Sequence, residues 1–154
     1  MSNGRSTEPQ CRSATDPKIH RAADQGTIAI KWCIIIPDMA NYKKLVVFQK
    51  ADELAFQIYR ITEGFPKSEA FGITSQIRRA ALSVPTNTAE GYTRSSSKEL
   101  GYFLNIARGS LAEASYLYYF SKKLGYHKEN DSIIDDLLEE VSKLLWSFAR
   151  KISS

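Results

Sequence analysis

QIRRAALSVPTNTAEG, residues 76–91, is the stretch that decides the fold. Turned at ~100° per residue, it puts Ile77, Ala81, Val84 and Thr88, with Ile73 just upstream, on one side, and Arg79, Ser83, Thr86 and Glu90 opposite. That pattern predicts an amphipathic helix. Its core side is built mostly from small side chains, so neighbouring helices can come close. Pro85 lacks an N–H and crowds the carbonyl of Ala81, which predicts a kink, and Asn87 is placed to satisfy the carbonyl so freed. Gly91 offers the permissive backbone at which the helix is expected to stop, before a polar loop over residues 92–97.

Working outward, the first helix is expected from Asn41 to Glu63, with Val47, Ala51, Leu54, Ala55, Ile58 and Thr62 as its core stripe and Gly64 and Pro66 ending it. Ser68 is expected to cap a short turn over residues 69–71, Gly72 to break it, and Thr74 to cap the helix that follows. Ser96 and Glu99 form a capping box for the third helix. There Leu100, Phe103, Leu104, Ala107, Leu111, Ala114 and Tyr118 line one face, and Gly125 closes the helix. Its other side carries Tyr102, Gly109, Tyr116 and Phe120. The fourth helix is expected from Asn130 or Asp131 to Arg150 and Lys151, with a stripe running from Ile133 and Ile134 to Phe148 and Ile152 and with Trp146 pointing away from it. Short loops force antiparallel neighbours, so the fold class is all-α: an up-down-up-down four-helix bundle with a Pro-kinked second helix.

The bundle accounts for residues 39–154. Residues 1–38, polar and poor in periodic apolar positions apart from the strand-like run IAIKWCIII at 28–36, are expected to be a disordered N-terminal extension or an over-called start. With 154 residues and 43% hydrophobic content the chain fits one domain. The net charge is +4, of which residues 39–154, with 16 Lys and Arg against 13 Asp and Glu, hold +3. That balance permits a nucleic-acid partner without demanding one. Cys11 and Cys33 form neither a disulfide framework nor a CxxC motif. No apolar run approaches the ~20 residues that cross a bilayer, and the start is unlike a signal peptide. A soluble cytoplasmic protein is expected.

Residues that carry chemistry are sparse. His20 and His127 have no HExxH-type partners, and Asp135, Asp136, Glu139 and Glu140 point in different directions around a helix. Neither GxxxxGK nor GxGxxG occurs, so no catalytic residue, metal or cofactor is expected and the protein is read as non-enzymatic. The basic side chains offer more. Lys43, Lys44, Lys50, Arg78, Arg79, Arg94 and Lys98 are candidate phosphate contacts, Arg79 having an ion pair with Glu90 as its alternative. Arg108, bordering the core stripe, is expected to be paired with Glu90 or Glu113. Leu82, Tyr102, Gly109, Tyr116, Phe120 and Trp146 are left over once each helix has buried one face, and they are candidate oligomer contacts.

The opening stretch, continued by YTRSSSKELGYFLNIARGSLAEA at residues 92–114, resembles the four-helix-bundle family of 23S ribosomal-RNA intervening-sequence proteins, and the resemblance runs from MANYKKLVVFQKADELAFQIY at residue 39 to the C-terminus. That family is similar to the accessory proteins of diversity-generating retroelements. The resemblance therefore implies a homopentamer that binds nucleic acid, RNA or DNA, together with a reverse transcriptase. A ring of five would pool about +15 of charge. Two functions follow as expectations: an accessory protein that holds structured RNA, or a protein-interaction scaffold.

Overall fold

Apolar side chains recur every three or four positions from residue 46 onward, and the structure, a computed structural model that describes residues 41–127 and 132–153, turns each such run into a helix. Among the described residues there are four α-helices: α1 Val46–Thr62, α2 Ile73–Tyr92, α3 Ser97–Lys123 and α4 Ser132–Ser153. The expectations for residues 1–38, and the start of the last helix at Asn130 or Asp131, lie outside the described residues.

Named contacts fix the topology. Arg78 Nε of α2 donates to Thr62 Oγ1 at the end of α1, 2.7 Å away. Ser83 of α2 and Ser110 of α3 share a hydrogen bond of 2.9 Å. Lys122 near the end of α3 meets Asp135 near the start of α4 at 3.3 Å. Lys50 near the start of α1 meets Glu140 of α4 at 2.8 Å. Each helix thus runs antiparallel to its two neighbours, in the expected up-down-up-down order, and the α2–α3 interface is the broadest. The core holds all six expected side chains of α1, the α2 line Ile73, Ile77, Ala81, Val84 and Thr88, and Leu104, Ala107, Leu111, Ala114 and Tyr118 of α3.

Several local expectations need correction. The first helix starts at Val46, because residues Asn41–Lys44 form a separate 3-10 turn. That turn is held by Gln49 Nε2, which donates to the Lys43 carbonyl at 2.9 Å, and by an edge contact between Tyr42 and Phe48. Ser68 and Thr74 cap nothing. Pro66 precedes the 3-10 turn Lys67–Glu69, and Glu69 Oε2 accepts the Ile73 N–H at 3.2 Å, leaving Thr74 buried inside α2. Ile133 is exposed while Ile134 is buried, since the core line of α4 runs through Ile134, Leu137, Val141 and Leu145 and Ile133 lies about 100° to the side of it. Glu99 returns the capping contact of Ser96 through the serine hydroxyl, 2.8 Å away, while its own N–H donates to Ser96 Oγ at 3.2 Å.

Gly91 does not stop α2, which continues to Tyr92. Instead it is buried where α2 meets α3: a Cβ built there would lie 2.8 Å from Phe103 Cβ and 3.1 Å from Leu100 Cδ1. Its value is close approach. The glycine that does terminate a helix is Gly125, with φ of 72°. There the Tyr126 N–H reaches the Ser121 carbonyl at 3.1 Å and the Gly125 N–H the Lys122 carbonyl at 3.0 Å, the paired bonds of a Schellman ending.

Pro85 is buried within α2. Around it Thr86, Asn87 and Thr88 donate from their side chains to the carbonyls of Leu82, Ser83 and Val84, at 2.8, 2.8 and 2.9 Å. Asn87 therefore serves Ser83 rather than the Ala81 carbonyl that loses its usual donor. At the far end of the bundle the Tyr126 hydroxyl donates to Glu69 Oε1 at 3.4 Å. Burial first, then the Glu69 charge and this hydrogen bond, hold the phenol above its usual pKa. The neutral form is the one the fold favours, so this contribution is complete below about pH 10 and is withdrawn as pH rises through the raised value.

The two helical glycines with opposite surroundings provide a test. Gly91→Ala gains helix propensity yet forces Phe103 to move, and we expect a net loss of about 1–3 kcal/mol. Gly109→Ala, with nothing within 4 Å of the new Cβ, is expected to gain about 0.4–1 kcal/mol. Urea denaturation of both variants measures each sign.

Candidate nucleic-acid interface

Antiparallel alternation gathers the start of α1, the end of α2, the start of α3 and the end of α4 at one end of the bundle. Lys43 and Lys44 arrive there from the 3-10 turn, Arg94 from the α2–α3 loop, Lys98 from the first turn of α3, and Arg150 and Lys151 from the last turn of α4. Among the described residues the acids facing them at this end are Glu90 and Glu99, and both are already engaged. Glu90 pairs with Arg94, and Glu99 accepts from Ser96. Arg94 also lies over the Phe103 ring at 4.8 Å, and Arg150 over the Trp146 ring at 4.6 Å, so aromatic faces hold two of the guanidinium groups in place. Lys43, Lys44 and Lys98 are exposed to solvent.

The seven cations singled out in the sequence do not form one site. Lys43, Lys44, Arg94 and Lys98 share the basic end, whereas Lys50 is tied to Glu140 across the α1–α4 seam. Arg78 and Arg79 sit near the start of α2, toward the opposite end. Arg78 is structural: besides its bond to Thr62 it donates to the Tyr59 carbonyl at 3.4 Å and stacks on the Tyr59 ring at 4.9 Å. Arg79 is exposed, and its expected alternative partner Glu90 is taken by Arg94. Arg108 was expected to need a carboxylate because it borders the core stripe. It is exposed instead, donating to Asn105 Oδ1 at 3.4 Å, because its position on α3 turns toward a surface groove beside α4.

The apolar candidates divide as well. Tyr102, Tyr116 and Phe120 are 64%, 62% and 40% exposed, so the bundle core does not take them in. With Gly109 they follow the outward line of α3, and the Tyr116 and Phe120 rings stack at 6.2 Å. Leu82 lies apart from them, in a groove between α1 and α2 that it shares with Phe56 and Tyr59. Trp146 is half-exposed on α4. The exposed Phe56 belongs with these residues and was legible as an apolar side chain off the α1 stripe.

The α3–α4 groove was missed. It has a volume of about 740 Å³, with Leu111 and Leu138 the apolar residues of its lining, Asn105, Arg108, Gly109, Ala112 and Ser115 on its α3 side and Glu139, Ser142 and Lys143 on its α4 side. It adjoins a stretch lined by Arg108, Ser142, Lys143, Trp146 and Ser147. Lys143 pairs with Glu139. First the hydrogen bond and then the charge of that lysine hold the Glu139 carboxyl below the usual carboxylate range. Each of these residues reads alone as an ordinary surface position, and only the register of α3 against α4 assembles them.

Among the described residues no three His, Cys, Asp or Glu side chains converge as metal ligands. No described helix is long and apolar enough to cross a membrane. The 23S rRNA-intervening sequence protein family matches residues 43–147. Among solved structures, a protein of unknown function from the S23 ribosomal protein family of Bacteroides thetaiotaomicron superposes with a TM-score of 0.63 at 25% sequence identity, covering 68% of this chain and 96% of that one. No curated protein matches.

The neighbouring arginines of α2 separate architecture from surface. Arg78→Ala removes a half-buried bond to Thr62 and is expected to cost about 1 kcal/mol. Arg79→Ala should stay within about 0.5 kcal/mol of the parent. Paired thermal and urea unfolding curves would reveal the difference, and equal effects would count against the structural role of Arg78.

Proposed function

The chain belongs to the 23S rRNA-intervening sequence protein family, and from that premise we propose that it is a non-enzymatic accessory protein of the cytoplasm that binds structured RNA with the basic end of its bundle. The observation that carries this reading is the convergence of Lys43, Lys44, Arg94, Lys98, Arg150 and Lys151 at one end, where both facing carboxylates are locally engaged. Cations grouped in this way displace condensed counterions together when they meet a phosphate backbone. Asp135 and Asp136 stand exposed along α4, with Asp135 paired to Lys122, which supports reading them as a solvated face.

Assembly is part of the same reading. The outward line of α3 presents Tyr102, Tyr116 and Phe120 with Gly109 between them. Exposed aromatic residues on one helix face suit contact with another copy, and a homo-oligomer, a ring of five in the family resemblance, would multiply weak phosphate contacts into useful avidity. A second reading rests on that line alone: the oligomer serves as a scaffold for a protein such as a reverse transcriptase, without touching nucleic acid itself.

Filter binding with a structured RNA tests the first reading. Affinity should fall about 10³-fold between ~50 and ~200 mM salt if some six phosphates are neutralised. Replacing Lys43, Lys44 and Lys98 together by Gln should weaken binding to all RNAs and flatten the salt slope by about three. No retention at low salt overturns RNA binding. Sedimentation of the 17.4 kDa chain at micromolar concentration tests assembly, and a monomer overturns it.

A further inference from the structure

We propose that the α3–α4 groove is a track for an unpaired RNA segment, with the Trp146 indole stacking one base and Arg108 and Lys143 holding the flanking phosphates. The proposal rests on the RNA-binding reading of the basic end and names what that end delivers into the side of the bundle. Trp146, Arg108 and Lys143 line one continuous stretch of the groove. Arg150, which belongs to the basic end, covers Trp146 from 4.6 Å away. The two features are therefore joined through the Arg150–Trp146 stack, and an RNA strand seated on the basic end reaches the groove without leaving positive charge.

The chemistry selects an unpaired strand. A base inside a duplex has both faces occupied by its neighbours, whereas a base in a loop or bulge has a face free for an aromatic side chain. Trp146 is 50% exposed although Arg150 lies over its ring, so indole surface remains for a second stacking partner. A stacked base between an indole and nearby guanidinium groups gains both dispersion and cation–π attraction. The lining is equally suited. Small residues Ala112 and Ser115 on the α3 side leave room for a ribose, and Asn105 and Ser142 offer side-chain hydrogen-bond partners for a 2′-hydroxyl. The one acid on the rim, Glu139, is neutralised by Lys143. An arriving phosphate competes with it for that lysine.

Fluorescence anisotropy of labelled oligouridine, run beside a labelled RNA duplex, tests the proposal on the full chain. Trp146→Ala should lower the ratio of single-strand to duplex affinity about tenfold, and Trp146→Phe should restore most of it. Ala112→Leu adds bulk to the α3 side of the groove and should lower the same ratio while leaving the urea midpoint close to that of the parent. In a Trp32→Phe background, which leaves Trp146 as the remaining tryptophan, oligouridine should quench the indole emission. Unchanged ratios in Trp146→Ala and Ala112→Leu, or no quenching, overturn the track while leaving the basic end as an RNA contact. Loss of single-strand and duplex binding alike in the Lys43, Lys44 and Lys98 variant supports the basic end on its own terms. Failure of the parent protein to bind either RNA removes both readings.

Discussion

The structure depends on how closely α2 and α3 can approach. Gly91 lies against Phe103 and Leu100, Ser83 and Ser110 share a hydrogen bond across the seam, and Ala80, Ala81, Ala107 and Ala114 are all buried. Small side chains here let two backbones come together that larger ones would hold apart. This contact fixes the roll of α3 about its own axis. With the alanines turned to α2 and Leu104 and Leu111 to the centre, Tyr102, Tyr116 and Phe120 have nowhere to point except outward. Surface chemistry on α3 is thus the reverse side of its packing.

Cations lie over aromatic rings at both ends of the bundle, and one end adds a carboxylate link. There the Glu69 carboxylate serves two masters, accepting the first N–H of α2 and the Tyr126 hydroxyl that follows α3. It joins the α1–α2 connection to the chain leaving α3, beside a stack of Phe65, Tyr118 and His127 rings. At the other end the links are charges on aromatic faces, Arg94 on Phe103 and Arg150 on Trp146. The Glu69 contacts are part-buried, and both ends keep lysines in solvent, Lys67 and Lys123 at the Glu69 end and Lys43, Lys44 and Lys98 at the other.

Helix identity and the core stripes were legible because periodicity is a property of each segment alone. The α1 stripe from Val47 to Thr62 could be written from the sequence side chain by side chain, and so could the terminal role of Gly125. What periodicity misjudged lay at boundaries or between helices. Gly91 looked like a stop because glycine's freedom is visible in sequence while a neighbouring helix is not. Thr74 looked like a cap until Glu69 reached the same end of α2 first. Arg108 looked buried because it borders the α3 stripe, yet the angle at which α4 packs decides whether that border is covered. The site was legible in part for the same reason. Lys43, Lys44, Arg94 and Lys98 are spread through the sequence and come together by topology, and the groove residues on α4 carry no signal until α3 is laid beside them.

The length of the helices has a consequence for how their charges act. α3 alone, with 27 residues, is about 40 Å long at 1.5 Å per residue, several times the ~8 Å over which physiological salt lets a charge be felt. The cations of its first turn and of its last, Lys98 at one end and Lys122 and Lys123 at the other, are therefore screened from each other, and each end of the helix presents its own local field.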